Sequence, residues 1–467
     1  MSESLQEQLN KIKGPLKILI QRADRTGDML MSIAAISALK ARFPQSEIHC
    51  IVSPAGEQVL KNRPEISQCW VIHEHSFKEM ISIAPQLKDR QFHVFISLFH
   101  HPKLDLFGRL CHIPIRTGYT KKMLSHFCFN YGQSSLHNNL ASHLIELNLN
   151  LLKDYGINTQ LQSGSLIVPK HLSPALEKEL SEKNSQNKDI IFIVTETGGS
   201  NIPFPTDVLS DFIQAINDSD KYFILISGQS KDNPFYGFKD LKNTLTLIGK
   251  SNFDDLIKCI DLSSYYVGPC TGPTHIASML QKPTLVFSPL KKNPPSTFGS
   301  LSPKQIIIRQ DYQFPKFSIE NEDIPKLLEY LDADYLMKEF NTLVASKERS
   351  IEDVRDYHFK NSFRILYWPK KNESKQALND LIQYYNDNGI KLFLCKHKSL
   401  FSIKKIMTQI ITQNINILHG DFPFLITLFI RLHMGIVEKT VHPLSYKTPL
   451  VKKDPKALIK DYQSKFC

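Results

Sequence analysis

Between residues 16 and about 290, short β-rich apolar runs alternate with amphipathic stretches, and this alternation limits the possible folds more than any other feature of the chain. The runs are "LKILI", "EIHCIVS", "CWVIHE" and "FHVFISLF", then after an interruption "DIIFIVTE", "KYFILIS", "LTLIG", "YYVG" and "PTLVFS". Strands of this kind are buried on both faces, and the segments between them supply the cover, which is the pattern of parallel sheets in the α/β class. The interruption divides the series. Residues 137–160, "HNNLASHLIELNLNLLKDYGINTQ", read as a long amphipathic helix ending near Gly156, and 171–189 read as a polar linker. Two doubly wound domains are therefore expected, 15–168 and 188–330, with a cleft between them.

Beyond residue 335 the texture changes. "LMKEFNTLVASKERSIEDVRDYHFK" reads as helix, and "FRILYWPK", "KQALNDLIQYYNDNGIK" and "LFLCKHK" as a small strand-helix-strand module in a C-terminal α/β or helical extension, 335–467. A short echo of "CTGPTHIASML" in "GDFPFLITLFI" hints at a duplicated substructure, although chance is the better account of so short a match.

The first amphipathic stretch, "RADRTGDMLMSIAAISALKARFP" (22–44), places Met29, Ile33, Ile36 and Leu39 on one helical face. A glycine in a strand-to-helix turn usually serves a phosphate. Here Gly27 is followed by Asp28, which would repel one. The dinucleotide fingerprint is missing its other glycines, and the "GKS" at 249–251 has Thr244 where a Walker loop needs glycine. Asp28 is either a capping acid or a general base at the strand ends, and local chemistry leaves both open. Arg22 and Arg25 flank it and are placed to hold an acidic substrate. In the second half, "YYVGPCTGPTHIASMLQKPTLVFSPLKKNPP" (265–295) reads as strand, small-residue turn and helix. Gly272 permits close backbone approach, and Thr271, Thr274 and His275 stand at a helix N-terminus, a fit site for a diphosphate.

The bulk properties narrow the partners. The net charge of +11 suits nucleic acid, a phosphorylated substrate or an anionic membrane surface, and without a nucleic-acid motif the last two are preferred. The start, "MSESLQEQLNKIKG", is no secretory signal, and the best apolar stretch, 422–437, is broken by Arg431 and His433. A cytoplasmic protein, peripheral on the membrane at most, is expected. Eight cysteines without metal-ligand spacing read as reduced, mostly buried thiols.

"KILIQRADRTGDMLMSIAAISALKARFPQSEIHCIV" resembles the N-terminal signature of glycosyltransferase family 9, the ADP-heptose:lipopolysaccharide heptosyltransferases. "HLIELNLNLLKDYGI" is similar to its interdomain helix, and "LTLIGKSNFDDLIKCIDLSSYYVGPCTGPTHIASMLQKPTLVFSP" resembles its donor-binding segment. The resemblance implies two Rossmann-like domains facing across a cleft, the GT-B architecture. It also implies inverting transfer of a sugar, heptose first, from ADP-heptose or another nucleotide sugar to a phosphorylated lipid-linked glycan such as the lipid A core, with no metal and no cofactor.

In that comparison Asp28 falls on the family's catalytic carboxylate. Cys270, Thr271, Gly272, Thr274 and His275 match the donor loop, Thr197, Gly198, Gly199 and Ser200 the loop after the first donor-domain strand, and Lys250 and Ser251 the nucleoside end. Arg22, Arg25, Arg63 and Arg116, with Lys61, Lys121 and Lys122, are the candidates for the acidic acceptor. Two positions depart from the family pattern: Cys270 stands where the donor loop usually begins with Asp, and Ile202 where a lysine usually neutralises the diphosphate. Lys231, Lys250, Lys291 and Lys292 are the cations at hand to compensate. These departures support a second reading, a non-catalytic GT-B protein that binds a nucleotide or glycan or assists another glycosyltransferase.

Overall fold

The computed structural model describes residues 4–73, 77–120, 123–134, 143–199, 201–230, 232–290, 294–309, 328–362, 364–368, 391–394 and 417–420. After a short helix α1 (Leu5–Asn10), the first half runs β1 (Lys17–Arg22), α2 (Thr26–Leu30), α3 (Ile33–Arg42), β2 (Glu47–Val52), α4 (Pro54–Leu60), β3 (Gln68–Val71), α5 (Phe77–Asp89), β4 (Val94–Ser97), α6 (Phe107–Leu110), β5 (Ile115–Thr120), α7 (Met123–Cys128), β6 (Tyr131–Ser134) and α8 (Leu144–Asn150). The second runs α9 (Pro174–Lys183), β7 (Asp189–Val194), α10 (Thr206–Asp218), β8 (Tyr222–Ser227), β9 (Thr244–Thr246), α11 (Phe253–Leu262), β10 (Tyr265–Pro269), α12 (Gly272–Met279), β11 (Thr284–Phe287), α13 (Pro295–Phe298) and β12 (Gln305–Ile308). It is followed by α14 (Ala333–Ala345), α15 (Ile351–Ser362), β13 (Arg364–Trp368), β14 (Lys391–Leu394) and β15 (Ile417–Gly420).

The first sheet is parallel with order β3-β2-β1-β4-β5-β6, and the second is parallel with order β12-β11-β10-β7-β8-β9. Consecutive residues Ile18, Leu19 and Ile20 of β1 are all fully buried, as are Ile191, Phe192 and Ile193 of β7, because helices cover both faces. In the first sheet the strand order reverses between β1 and β4, and in the second between β7 and β10. Open parallel sheets bind ligands beyond the carboxyl ends of their strands at such reversals. The turns after β1, β7 and β10 occupy that place.

Several expected elements are built differently. The helix expected over 22–44 is two helices, α2 and α3, separated at Met31 and Ser32. Ser32 Oγ donates to the Asp28 carbonyl at 2.8 Å, and Asn148 of α8 donates to Ser32 Oγ at 3.1 Å and to the Met31 carbonyl at 3.3 Å, so polar bonds hold the break open. The helix expected over 137–160 begins at Leu144, where Glu146 and the His143 side chain cap it, and ends at Asn150; a separate 3-10 turn, Lys153–Tyr155, then leads to Gly156 with φ 75°. Residues 137–142 of that expectation lie outside the described residues. The linker expected over 171–189 contains α9, started by Pro174; its weak apolar stripe buries only Leu176, which is why the sequence reads as polar.

The helix expected after 335 is also two: α14 packs on the second sheet and α15 against α13. Phe340 of α14 is fully buried among Phe212, Tyr222 and Tyr265, with ring centroids 6.0, 5.7 and 5.3 Å away. Arg355 of α15 pairs with Glu146 of α8 at 2.8 Å, and His358 Nε2 lies 2.9 Å from the Ser300 carbonyl. The three last strands form a small parallel sheet of order β14-β13-β15; β13 and β14 coincide with the two strands of the module expected there, and its helix lies outside the described residues. Among the described residues no helix is long and apolar enough to cross a membrane, and no group of acidic, histidine or cysteine side chains has the arrangement of a metal site.

Candidate functional site

The turn after β1 is organised by Arg22, the last residue of the strand. Only 4% of its side chain is exposed. Its Nη2 lies 3.1 Å from Asp28 Oδ1 and its Nε 3.0 Å from Asp24 Oδ1, while Nη1 donates to the Leu98 carbonyl at the end of β4. The contact with Asp24 is an ion contact rather than an aligned hydrogen bond, since neither of its two atoms finds a hydrogen-bond partner. The guanidinium also sits over the Phe99 ring, 5.8 Å from its centroid. Burial pushes the Asp24 carboxyl up to about 7, the neighbouring Asp28 adds to this, and Arg22 only partly offsets it. Asp28 stands in the first turn of α2 with 23% of its side chain exposed, the most open member of the group.

The turn after β10 meets α2 head on. A Cβ placed on Gly27 would lie 2.8 Å from His275 Cδ2 and 3.3 Å from Nε2, and one placed on Gly272 would lie 3.4 Å from Thr26 Cβ. The N-terminal turns of α2 and α12, from different sheets, are thus in contact, and only glycine at 27 permits the approach. His275 is buried, and desolvation pushes its imidazole down to about 4, so it is neutral near pH 7. The Thr271 hydroxyl donates to the Pro269 carbonyl at 3.2 Å. Thr274 Oγ1 donates to that carbonyl at 2.8 Å and lies 2.9 Å from Tyr266 Oη, so both threonines build the turn.

Asn201 joins the loop after β7 to this turn: its Nδ2 donates to the Cys270 carbonyl at 3.4 Å and to Ser288 Oγ at 3.3 Å. Thr197 donates to the Asn201 carbonyl at 2.9 Å. Gly198 and Gly199 are exposed with open space where a Cβ would stand; Gly199, at φ 78°, needs glycine for its backbone. Ser200, Lys121, Lys122, Lys231, Lys291 and Lys292 lie outside the described residues.

Cys270 is buried, its thiol pushed up to about 11 by burial and its Sγ donating to the Phe298 carbonyl at 3.4 Å, so it is a neutral thiol turned away from solvent. Ile202 packs against the apolar core of the second sheet. Lys250, in the turn after β9, pairs with Glu179 of α9 at 3.0 Å and, with Ser251, follows an outer strand two places from β7.

Three arginines chosen for an acidic acceptor are placed otherwise. Arg22 is buried and directed at Asp24, Asp28 and Leu98. Arg63 is buried between α4 and β3, donating to the Ser165 carbonyl at 2.8 Å and to Glu65 at 2.8 Å. Arg116 enters at the start of β5 and donates to the Cys128 carbonyl at 2.9 Å and the Ile113 carbonyl at 2.6 Å. Both belong to the amino edge of the first sheet, opposite the strand ends that face α12, and positive charge in a sequence does not say which edge it reaches. Arg25 is exposed at the start of α2 and remains free to meet a ligand.

The same strand ends hold residues that sequence reading did not select. Ser97 Oγ lies 2.9 Å from Gln21 Oε1 and 2.8 Å from the buried Asp105, and His100 Nδ1 lies 2.7 Å from the other Asp105 oxygen. Arg309 is fully buried and donates to the Ser288 and Leu290 carbonyls at 3.2 and 2.9 Å, a cation near Cys270. The only signal for the first group is "SLFHHP" directly after an apolar strand.

The sequence profile described as glycosyltransferase family 9 (heptosyltransferase) matches residues 80–325. The chain belongs to glycosyltransferase family 9. It is 22% identical over 282 residues to lipopolysaccharide heptosyltransferase 3 of Escherichia coli (strain K12), a match covering 56% of this chain and 78% of that protein. In fold it is similar to the Escherichia coli ADP-heptose lipopolysaccharide heptosyltransferase II, with a TM-score of 0.56 and 19% identity over 70% of this chain and 98% of that one. A heptosyltransferase of Escherichia coli solved with ADP gives a TM-score of 0.53 and 13% identity over 70% of this chain and 97% of that one. As a family 9 glycosyltransferase the chain has the GT-B fold: two parallel α/β sheets whose strand reversals face each other through α2 and α12. The C-terminal strands β13 to β15 fall outside the matched residues.

Proposed function

We propose that this family 9 glycosyltransferase transfers a heptose from an ADP-linked donor to the phosphorylated core of lipopolysaccharide, or a similar lipid-linked glycan, with inversion and with Asp28 as general base. The observation that carries the reading is the meeting of two helix N-termini from different sheets, one bearing a partly open carboxylate fixed by Arg22, the other bearing small residues and a neutral imidazole.

Asp28 takes the proton of the acceptor hydroxyl as its oxygen attacks the anomeric carbon. The new bond forms opposite the breaking bond to the diphosphate, and the bond electrons leave on the diphosphate oxygen. The N-terminal end of α12, through the Gly272 N–H, and the His275 side chain receive that anion. Asp28 and the diphosphate thus stand on opposite sides of the reacting carbon, as inversion requires. Compensation for the missing lysine at Ile202 falls to cations around the turn, Arg309 among them. The acceptor approaches from the β1 and β4 ends, past Arg25, at an anionic membrane surface. The names of the relatives, lipopolysaccharide heptosyltransferases and one structure with ADP, support the choice of donor and acceptor.

Calorimetric titration with ADP, other nucleoside diphosphates and their sugars tests the donor. Selective binding of the adenine series in the micromolar range, weakened at least tenfold in His275→Ala, is expected; a wild-type protein that is folded and binds none of them contradicts the proposal. Binding without transfer to any lipopolysaccharide acceptor would leave the binding-protein reading that Cys270 and Ile202 favour.

A further inference from the structure

The last three strands repeat the centre of the second sheet. In the order β14-β13-β15 the first strand of the set lies in the middle, the second on one side and the third on the other, and β8-β7-β10 are arranged the same way. On one side the register agrees as well. Tyr222, the first residue of β8, pairs with Asp189, the first of β7; Lys391, the first of β14, pairs with Arg364, the first of β13. On the far side the pairing is parallel in both sets with the register one residue apart: Tyr265 of β10 pairs with Ile191, the third residue of β7, and Ile417 of β15 with Ile365, the second of β13.

The sequence gives the same superposition independently. "LSDFIQAINDSD" (209–220) ends just ahead of β8, and "LNDLIQYYNDNG" (378–389) stands at the same distance ahead of β14; six of the twelve positions are identical. A shared amphipathic pattern accounts for matched apolar positions such as Leu209 with Leu378 and Ile213 with Ile382. It does not account for Asp211 with Asp380, Gln214 with Gln383, Asn217 with Asn386 and Asp218 with Asp387. Further on, Pro289, Leu290 and Pro295 recur at the same spacing as Pro443, Leu444 and Pro449.

The two sets differ in two places: 37 residues, including β9 and α11, separate β8 from β10 where 22 separate β14 from β15, and the segment after the first strand, which in the first set holds the candidate donor loop, is shorter. Leu209 lies 20 residues after Asp189, but Leu378 lies 14 after Arg364, and the six missing residues fall after the first strand. That segment carries Gly198 and Gly199 in the first set and reads "PKKNESKQA" in the second, with no glycine for a positive-φ turn.

We infer that residues 364–444 are a second, shortened copy of residues 189–290 that keeps the β8-β7-β10 order in β14-β13-β15 and has lost the glycine loop, so that the chain has two donor-type halves and one nucleotide site. The identity of that site rests on the function proposed above; the duplication does not.

Hydrogen exchange on the full chain without ligand tests the duplication. Residues 378–389 are expected to be protected in the helical pattern of 209–220, and Ile382→Asp, at the counterpart of the fully buried Ile213, to abolish that protection while 209–220 stays unchanged. Exchange of 378–389 at the rate of an unfolded chain overturns it. Titration of the full chain with ADP is expected to give one equivalent; two equivalents overturn the single site. Should no ADP bind, the donor reading fails and the exchange result alone decides the duplication.

Discussion

Arg22 Nη2 lies 3.1 Å from Asp28 Oδ1, and the same buried guanidinium contacts Asp24 and the end of β4. The residue that looks in sequence like a ligand for acidic substrate is the one that fixes the direction of the carboxylate. Arg22→Met leaves Asp24 and Asp28 without their cation, and unfolding in denaturant should show a loss of about 3–5 kcal/mol. Arg22→Lys keeps the charge but not the fork, so a smaller loss of stability should accompany a large fall in kcat.

Gly27 and His275 hold the two halves in register. In Gly27→Ala the new methyl meets His275 Cδ2 at 2.8 Å, closer than a real Cβ contact, so one helix must retreat. Overpacking of this kind costs about 1–3 kcal/mol. The expected result is a lower Tm with a raised donor KM; an unchanged donor KM would mean that the halves do not need this contact.

Stability should depend on pH in two opposing ways. Burial pushes His143, His275 and His358 down to about 4 from 6.5, so the unfolded chain takes up protons first as pH falls, and stability is lost between 6.5 and 4. Asp24, raised from 3.8 to about 7, has the reverse sign: the folded chain holds its proton longer, so its contribution is present below 3.8 and lost as pH rises through 7. Denaturation across pH 4–8 should show a shallower acid loss in His358→Gln and a smaller loss toward pH 7 in Asp24→Asn. Identical slopes in the variants would contradict these assignments.

Cys270 should resist alkylation in the folded protein at pH 7.5 and react on unfolding, because its thiol is buried and raised to about 11. Mass spectrometry of the peptide containing residue 270 reads this directly. Rapid native labelling would show that the turn opens.

The parallel α/β class was legible because Ile18 to Ile20 and Ile191 to Ile193 leave no polar face. Asp28 stood out as an acid where a phosphate turn was expected, and the structure puts it beside α12. Arg63 and Arg116 were misplaced because the edge a charge reaches depends on strand direction and loop path, which local sequence does not contain. The Ser97 contact with Gln21 and the Arg22 contact with Leu98 are made across adjacent strands, 76 residues apart, beyond the range of any local pattern, while Ser97, His100 and Asp105 meet because the chain folds back on itself after β4. Helix α9 was missed because its one buried side chain leaves no periodic stripe to read.

The most direct test of the account is the rate of heptose transfer to a lipopolysaccharide acceptor by Asp28→Asn, measured beside ADP affinity in the same preparation. A fall in kcat of about 10²–10⁴ with ADP affinity unchanged is predicted, since the amide cannot accept the hydroxyl proton while the α12 site is untouched. Transfer at the wild-type rate would contradict the assignment of Asp28 as the base.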